Sequence, residues 1–216
     1  VKAFSGGNVD GVMPQMFGVE TLPAAAGEYT LFADNDGNCA FGPDDAVVEI
    51  GPGHGELTRE IVKRVSRVIA IEKDPELAIR VRGLGFRNLE VITGDALKIL
   101  PSLTNTLKNS AGGGSLPVRQ AGVFGGKNYK LLGNIPYYIT GQLLRVLGEL
   151  KNPPVSMVLA VQKEVAERIS AGPPRMNLLA AAVQIWASVQ VVESIPRKSF
   201  VPPPEVDSAI IKLTPK

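Results

Sequence analysis

The fold is decided by residues 46–55, which read Ala-Val-Val-Glu-Ile-Gly-Pro-Gly-His-Gly. The first five residues are typical of a short buried strand, and the three glycines that follow are typical of a sharp turn. Residues 56–65 then place apolar side chains at 57, 61, 62 and 65, which is a helical spacing. A strand, a glycine turn and a helix in this order predict a doubly wound α/β fold with a ligand crevice at the carboxyl end of the strand.

The spacing of the glycines indicates the kind of ligand. Gly51, Gly53 and Gly55 form G-x-G-x-G, whereas dinucleotide sites use G-x-G-x-x-G. A dinucleotide must seat a pyrophosphate at a helix N-terminus, and the carboxylate of Glu49 would repel it. The same carboxylate suits a ligand that carries a cationic amino group. The turn therefore predicts a ligand without phosphates that approaches the backbone closely.

Acidic residues occur at the ends of three successive predicted strands. Glu49 belongs to the first strand, Glu72 ends the second at 67–72, and Asp95 follows the third at 89–93. A carboxylate at the end of the second strand can accept both ribose hydroxyls, and Asp95 can accept from an adenine amine. Any one of these acids could instead cap a helix. Together with the glycines they predict an adenosine pocket without phosphate ligands, which suits S-adenosylmethionine.

A second motif, Asn134-Ile135-Pro136-Tyr137, follows the apolar run at 130–133. The amide oxygen of Asn134 and a nearby main-chain carbonyl could both accept hydrogen bonds from an exocyclic amine. Pro136 fixes the backbone, and Tyr137 offers a flat face to a nucleobase. Asn-x-Pro also marks ordinary turns. The motif therefore indicates a substrate site only in combination with the ligand crevice predicted from residues 46–55. The adjacent Tyr138 is expected to pack rather than to act on a substrate.

These motifs, together with Phe-Val-Pro-Pro-Pro-Glu-Val-Asp-Ser at 200–208, resemble those of the KsgA-type ribosomal RNA adenine dimethyltransferases. The resemblance covers roughly residues 44–214. The related erythromycin-resistance methyltransferases share the first pattern, but their triple proline is usually broken, so this chain is more similar to the housekeeping enzyme. The resemblance implies a Rossmann-like class I S-adenosylmethionine-dependent methyltransferase fold. Its seven-stranded, mostly parallel sheet would have helices on both faces, with the last hairpin added antiparallel.

The resemblance also implies two sets of site residues. The target adenine would be held by Asn134, Pro136, Tyr137 and Phe200, with Tyr137 stacking on one face and Phe200 closing the other. Phe200 could instead anchor an irregular loop to the core. No metal is implied. S-adenosylmethionine would be bound by residues at the strand ends: Glu49, Gly51, Gly53, Gly55, Glu72, Lys73, Asp95, Ala96 and Asn134.

The activity implied is dimethylation of adenine N6 amines in small-subunit ribosomal RNA, linked to ribosome assembly. The partner would be ribosomal RNA or the immature small subunit, and the protein would be a cytoplasmic monomer. Three alternatives stay open: a catalytically idle RNA-binding or transcription-associated factor, an erythromycin-resistance-type enzyme acting on large-subunit RNA, and a methyltransferase acting on protein or DNA amino groups. Ile135 and the downstream triple proline favour the RNA adenine enzyme over the last of these.

Composition supports a nucleic-acid partner. The net charge is +2, but residues 1–50 hold eight acidic residues and a single basic one, so the remainder is strongly basic. A basic body suits a phosphate-bearing partner, and the candidate RNA contacts are Arg168, Arg175, Arg197 and Lys198. Cys39 is the lone cysteine, which excludes an internal disulfide, and no Cys/His cluster has metal-site spacing. No apolar run approaches the length of a membrane helix.

The chain divides into an irregular segment at 1–43 and a predicted catalytic domain at 44–216. A polar, glycine-bearing insertion is predicted at about 102–128. Two features usual in the family are not found: an N-terminal Gln-Asn-Phe-Leu-like segment and a helical domain after the last strand.

Overall fold

A computed structural model describes residues 41–105, 129–200 and 203–216. The predicted irregular segment, except for residues 41–43, lies outside the described residues. The same is true of residues 106–128 in the predicted insertion and of Val201 and Pro202 in the proline motif.

In the described residues strands and helices alternate up to the fifth strand, which is followed by two helices and then by the last two strands. The strands are β1 Ala46–Ile50, β2 Arg67–Glu72, β3 Leu89–Thr93, β4 Tyr129–Asn134, β5 Ser156–Gln162, β6 Ala187–Ile195 and β7 Ser208–Pro215. The helices are α1 Glu56–Ile61, α2 Pro75–Arg82, α3 Ala96–Asn105, α4 Thr140–Gly148, α5 Lys163–Ser170 and α6 Leu178–Gln184. One-turn 3-10 helices occupy Tyr137–Ile139 and Arg197–Ser199.

Within these residues the strands form one seven-stranded sheet in the order β3-β2-β1-β4-β5-β7-β6. β7 runs antiparallel to both of its neighbours, whereas the pairs from β3 to β5 are parallel. The predicted sheet and its antiparallel final hairpin are therefore confirmed. β1 pairs with β2 on one side and with β4 on the other, so the strand order reverses between β1 and β4. Ligands of open α/β sheets bind at such a reversal.

Helices cover both faces of the sheet. On one face, Ile69 and Leu131 pack with Leu100 of α3 and Leu144 of α4. On the other face, Val68 and Leu132 pack with Ile61 of α1. Because successive strand residues point to opposite faces, a strand covered on both sides must be apolar throughout. This explains the near-continuous apolar runs that mark the strands in the sequence.

Two element boundaries differ from the prediction. The helix expected at 56–65 ends at Ile61, and the amide of Arg64 bonds to the Ile61 carbonyl in a turn. The insertion expected from residue 102 begins later, because α3 continues through Pro101 to Asn105. Trp186 lies after α6 and packs partly buried against the main core cluster.

The helices in the described ranges are short. The ten-residue α3 is far below the length needed to cross a bilayer, and none of the described helices is long and apolar enough to do so.

Candidate cofactor and base site

A cavity of about 390 Å³ lies at the carboxyl ends of β1, β2 and β3. The turn after β4 forms its remaining wall. The cavity is therefore at the reversal of strand order, as the sequence predicts. It is lined by Ile50, Gly51, Ile71, Glu72, Lys73, Asp74, Gly94, Asp95, Ala96, Pro136, Tyr138 and Ile139.

The glycine turn brings backbone to the mouth of this cavity. Gly51 and Gly53 have φ values of 66° and 59°, in the left-handed region that side chains other than glycine rarely adopt. A Cβ on Gly51 would lie 3.4 Å from the carbonyl oxygen of Asn134, whereas a Cβ on Gly53 would meet nothing within 4 Å. The backbone conformation therefore favours glycine at both positions, and the space beside Gly53 is open.

Gly55 has a different task, because it lies against the protein. A Cβ there would lie 2.9 Å from Cδ1 of Leu84, and its φ is 88°. Its carbonyl accepts from the amide of Arg59 in the first turn of α1. Gly55 therefore stabilises the start of the helix and does not line the cavity.

The Glu72 carboxylate is fixed in place by the backbone. The amide of Gly53 donates to its Oε2 at 3.1 Å, and the amide of Asp74 donates to its Oε1 at 2.9 Å. The side chain is buried, yet it lines the cavity. A carboxylate offers about four lone-pair sites, so Glu72 can still accept hydrogen bonds from a diol.

Asp95 combines a structural role with a place on the cavity. Its Oδ1 accepts from the amide of Leu97 at 3.0 Å, so it caps α3. This cap leaves Oδ2 for a ligand. Buried Ala96 contributes to the cavity wall beside it, and exposed Lys73 lies on the rim.

Glu49 lies within the protein and not on the cavity surface. Its carboxyl is buried and accepts a hydrogen bond from Oγ1 of Thr58 at 2.7 Å. Burial, with smaller contributions from the charges of Glu56 and Glu72, raises the pKa of Glu49 to about 8, although the Thr58 bond opposes the shift. Glu49 therefore holds a proton at neutral pH.

The Asn134 motif is anchored on both sides. Asn134 is exposed at the end of β4, and the following Ile135 is buried with its amide donating to the Ala160 carbonyl at 3.3 Å. Pro136 lines the cavity and accepts at its carbonyl from the amide of Ile139 at 3.0 Å.

The two tyrosines that follow face different surroundings. Tyr137 is half-buried, and its hydroxyl shares a hydrogen bond of 2.8 Å with Oγ of Ser208. Tyr138 is 78% exposed and lines the cavity. The prediction that Tyr138 packs is wrong. Successive side chains of a 3-10 helix point about 120° apart, so adjacent tyrosines cannot share one environment.

Phe200 is half-buried against the cluster that contains Ile195 and Ile210. This position matches the simpler interpretation, that Phe200 anchors a loop. Its predicted role, to close the second face of the target adenine, stays a prediction.

The predicted site residues fall into two groups. Gly51, Glu72, Lys73, Asp95, Ala96 and Pro136 line the cavity together. Glu49, Gly53, Gly55, Asn134, Tyr137 and Phe200 are not among its lining residues, and their assigned roles stay predictions. Sequence reasoning missed Asp74 and Tyr138. The Asp74-Pro75 pair is a helix-start signature that could have located the former.

A second cavity, of about 520 Å³, lies at the carboxyl end of β5. Its walls carry four acidic and two basic side chains: Glu164, Glu167, Glu205, Asp207, Lys163 and Arg197. Although it is larger, it lacks the glycine turn and lies away from the strand-order reversal. The smaller cavity is therefore the candidate nucleoside site. In the described ranges no group of three or more His, Cys, Asp or Glu side chains could hold a metal ion.

Comparison with known proteins agrees with this geometry. The family model for ribosomal RNA adenine dimethylase matches residues 35–216. The chain belongs to the ribosomal RNA adenine dimethylase family.

Individual relatives support the assignment. The chain is 41% identical over 173 residues to ribosomal RNA small subunit methyltransferase A of Dehalococcoides mccartyi strain CBDB1. The alignment covers 79% of this chain and 53% of the relative. It is similar to the crystal structure of a dimethyladenosine transferase from Plasmodium falciparum, with 32% identity, a TM-score of 0.63 and coverage of 82% of this chain and 57% of that one. The 23S rRNA methyltransferase ErmE gives 29% identity and a TM-score of 0.63, covering 82% and 63% of the two chains. The chain thus spans about half the length of the curated relatives it matches.

The buried carboxyl of Glu49 should make the protein less stable as pH rises. Its pKa is raised in the folded state from 4.5 to about 8, so its contribution to stability is complete below pH 4.5 and is lost as pH rises towards 8. Each pKa unit corresponds to about 1.4 kcal/mol. Glu49→Gln keeps an acceptor for Thr58 without a titrating proton, so we expect its free energy of unfolding to fall less over this range. Urea denaturation of the ligand-free protein across the range measures the difference. Parallel curves for the two proteins would contradict the assigned pKa.

Proposed function

We propose that this chain transfers methyl groups from S-adenosylmethionine to the N6 amine of adenines in small-subunit ribosomal RNA, forming dimethyladenine during ribosome assembly. One observation carries the proposal. The glycine turn and the turn after Asn134 line a single cavity that also contains Glu72 and Asp95, in a member of the adenine dimethylase family.

The residues of the cavity fit S-adenosylmethionine. Its volume of about 390 Å³ lies within the usual range for small-molecule sites. Glu72 would accept the ribose hydroxyls, Asp95 the adenine amine, and Gly53 would allow close approach of the ligand. When bound, the cofactor supplies a methyl group made electrophilic by a positively charged sulfur.

Glu49 would lie towards the amino-acid end of the cofactor. In the ligand-free protein its carboxyl is protonated at neutral pH, because burial dominates. A cationic group brought nearby favours the carboxylate form. Binding would therefore lower the pKa of Glu49.

The Asn134 turn would orient the substrate amine. The lone pair of adenine N6 is delocalised into the ring, which makes it a poor nucleophile. Acceptors at the Asn134 amide and a neighbouring carbonyl favour a pyramidal nitrogen whose lone pair is available. Positioning of this kind can supply most of the rate enhancement. The methylated nitrogen is acidic enough to lose its proton to water, so the chain needs no general base.

Aromatic side chains would hold the base outside its helix. A base must leave its stack to enter such a pocket, and Tyr137 would contact one of its faces. Phe200 would close the other face. Tyr138, exposed at the cavity, would lie towards the cofactor side.

The RNA itself would bind through exposed basic side chains near these elements. Arg168, Arg175, Arg197 and Lys198 are all exposed.

We propose small-subunit RNA rather than the large-subunit RNA of erythromycin-resistance enzymes. The 41% identity to ribosomal RNA small subunit methyltransferase A of Dehalococcoides mccartyi favours this choice. A monomeric state stays part of the proposal.

Replacing Gly53 should weaken cofactor binding selectively. Gly53→Ala puts a methyl group into the open space beside the glycine turn, where we propose that the ligand lies, and the left-handed backbone costs about 1–2 kcal/mol of stability. Gly85 is the matched control, because its φ of 72° imposes the same strain and a Cβ there also meets nothing within 4 Å. We expect both variants to lose similar stability, and the Kd for S-adenosylmethionine to rise about tenfold or more only for Gly53→Ala. Isothermal titration calorimetry measures the Kd, and equal Kd values for the two variants would count against a ligand at Gly53.

Replacing Asn134 should separate binding from chemistry. We expect Asn134→Ala to retain cofactor binding but to lose about 100-fold in kcat, because the amine loses its acceptor. Gln190→Ala, which removes an exposed amide from β6, is the control and should stay active. Transfer of labelled methyl groups is measured on protein-free small- and large-subunit RNA and on immature small subunits.

The same assay distinguishes the alternatives. Wild-type protein that binds the cofactor but methylates none of these RNAs would be the idle factor. Methylation of large-subunit RNA alone would indicate the erythromycin-resistance type. Dimethyladenine blocks reverse transcription, so a primer-extension stop shows both the position and the degree of methylation.

A further inference from the structure

The end of the proline motif, Asp207-Ser208, has no role in the chemistry described above. Yet it lies beside the turn that carries the proposed stacking tyrosine. Oγ of Ser208 is 2.8 Å from the hydroxyl of Tyr137, 71 residues away along the chain. This contact joins the two motifs that identify the family, the Asn134 turn and the proline motif.

Ser208 is a rigid anchor. It is buried, with 1% of its surface exposed, and it is the first residue of β7. Its backbone lies between two strands, opposite Gln162 of β5 and Ile195 of β6. A strand paired on both sides cannot shift alone, so the hydroxyl of Ser208 has a fixed position relative to the sheet.

Asp207 fixes the approach to this anchor. Its carbonyl accepts from the amide of Lys163 at 3.0 Å, at the start of α5. Its Oδ1 accepts from the amide of Arg197 at 2.9 Å. The segment is thus tied to the start of α5 and to the 3-10 helix at Arg197–Ser199 before the chain enters β7.

Tyr137, in contrast, lies on a short turn. It begins a one-turn 3-10 helix, a weak element on its own. Ile135 fixes the turn to the core on one side of Pro136. On the other side the Ser208 contact holds the free end of the Tyr137 ring, which otherwise has two rotatable bonds. A phenolic hydroxyl prefers to lie in the ring plane, so this bond also favours one tilt of the ring.

From these contacts we infer that Ser208 is a positioning residue, which holds the ring of Tyr137 ready to stack on the target adenine. The inference rests on the proposed function, since it supposes that Tyr137 receives a base. Ser208 itself need not touch substrate or cofactor. The part of the proline motif that ends at Ser208 then acts on the reaction through the Asn134 turn.

A double-mutant cycle tests the coupling. Ser208→Ala and Tyr137→Phe each remove one hydroxyl and leave the ring. We expect each to lower kcat about five- to tenfold, as loss of one positioning hydrogen bond predicts, with unchanged Kd for S-adenosylmethionine. The double variant should be no slower than either single variant, and Ser208→Thr should restore most of the rate. Ser194→Ala, an exposed serine on the neighbouring strand β6, is the control and should match wild type.

Three outcomes would overturn the inference. They are a normal kcat in Ser208→Ala, multiplicative losses in the double variant, and a normal kcat in Tyr137→Phe. If Ser208→Ala does not fold, the Tyr137→Phe variant decides, because it leaves β7 untouched.

A crystal structure of Ser208→Ala, or of Tyr137→Phe if the former does not fold, gives a readout that does not depend on activity. We expect the ring of residue 137 to leave its present rotamer or to occupy several, with Ile135 unmoved. An unchanged single rotamer would refute the positioning role. If the wild-type protein is inactive but the ring of residue 137 is displaced in the variant's structure, only the proposed function is contradicted.

Discussion

The pairing of β1 with β4 is the constraint on which the site depends. The helix that follows β1 and the helix that follows β4 lie on opposite faces of the sheet. The chain therefore leaves the carboxyl ends of these two strands in opposite directions, and a crevice remains between them. At the crevice Gly51 approaches the Asn134 carbonyl, to which a Cβ on Gly51 would lie at 3.4 Å, and its φ of 66° favours glycine. The glycine turn and the Asn134 turn, which we propose to hold the cofactor and the substrate, are adjacent because two neighbouring strands end at the same level.

The polar groups of the site are held by the fold before any ligand arrives. Glu72 receives one backbone donor at each oxygen, and Asp95 caps α3. Helix capping and ligand binding were rival interpretations of these acids. In the structure the helix cap uses Oδ1 of Asp95 and leaves Oδ2 for a ligand, so the two interpretations are compatible. A preorganised carboxylate loses little conformational entropy when a ligand binds.

The sequence predicted the elements whose signals are local. Alternation of apolar strands with helices gave the sheet. Half of the residues that line the cavity were also predicted: Gly51, Glu72, Lys73, Asp95, Ala96 and Pro136. It could not predict which of Tyr137 and Tyr138 faces the cavity, because the answer depends on the rotation of one 3-10 turn and on Ser208, far along the chain. The burial of Glu49 was equally hidden, since an acid at a strand end can point either into the crevice or beneath the turn. Pro101 is usually a helix-ending residue, which is why the continuation of α3 was missed.

The most direct test is a crystal structure with S-adenosylhomocysteine bound. The account predicts that its ribose hydroxyls contact the Glu72 carboxylate and its adenine lies at Asp95, with the sulfur directed towards the turn at Pro136. Binding in the larger acidic cavity beside Asp207, or a cofactor whose sulfur points away from the Asn134 turn, would contradict the shared-cavity account.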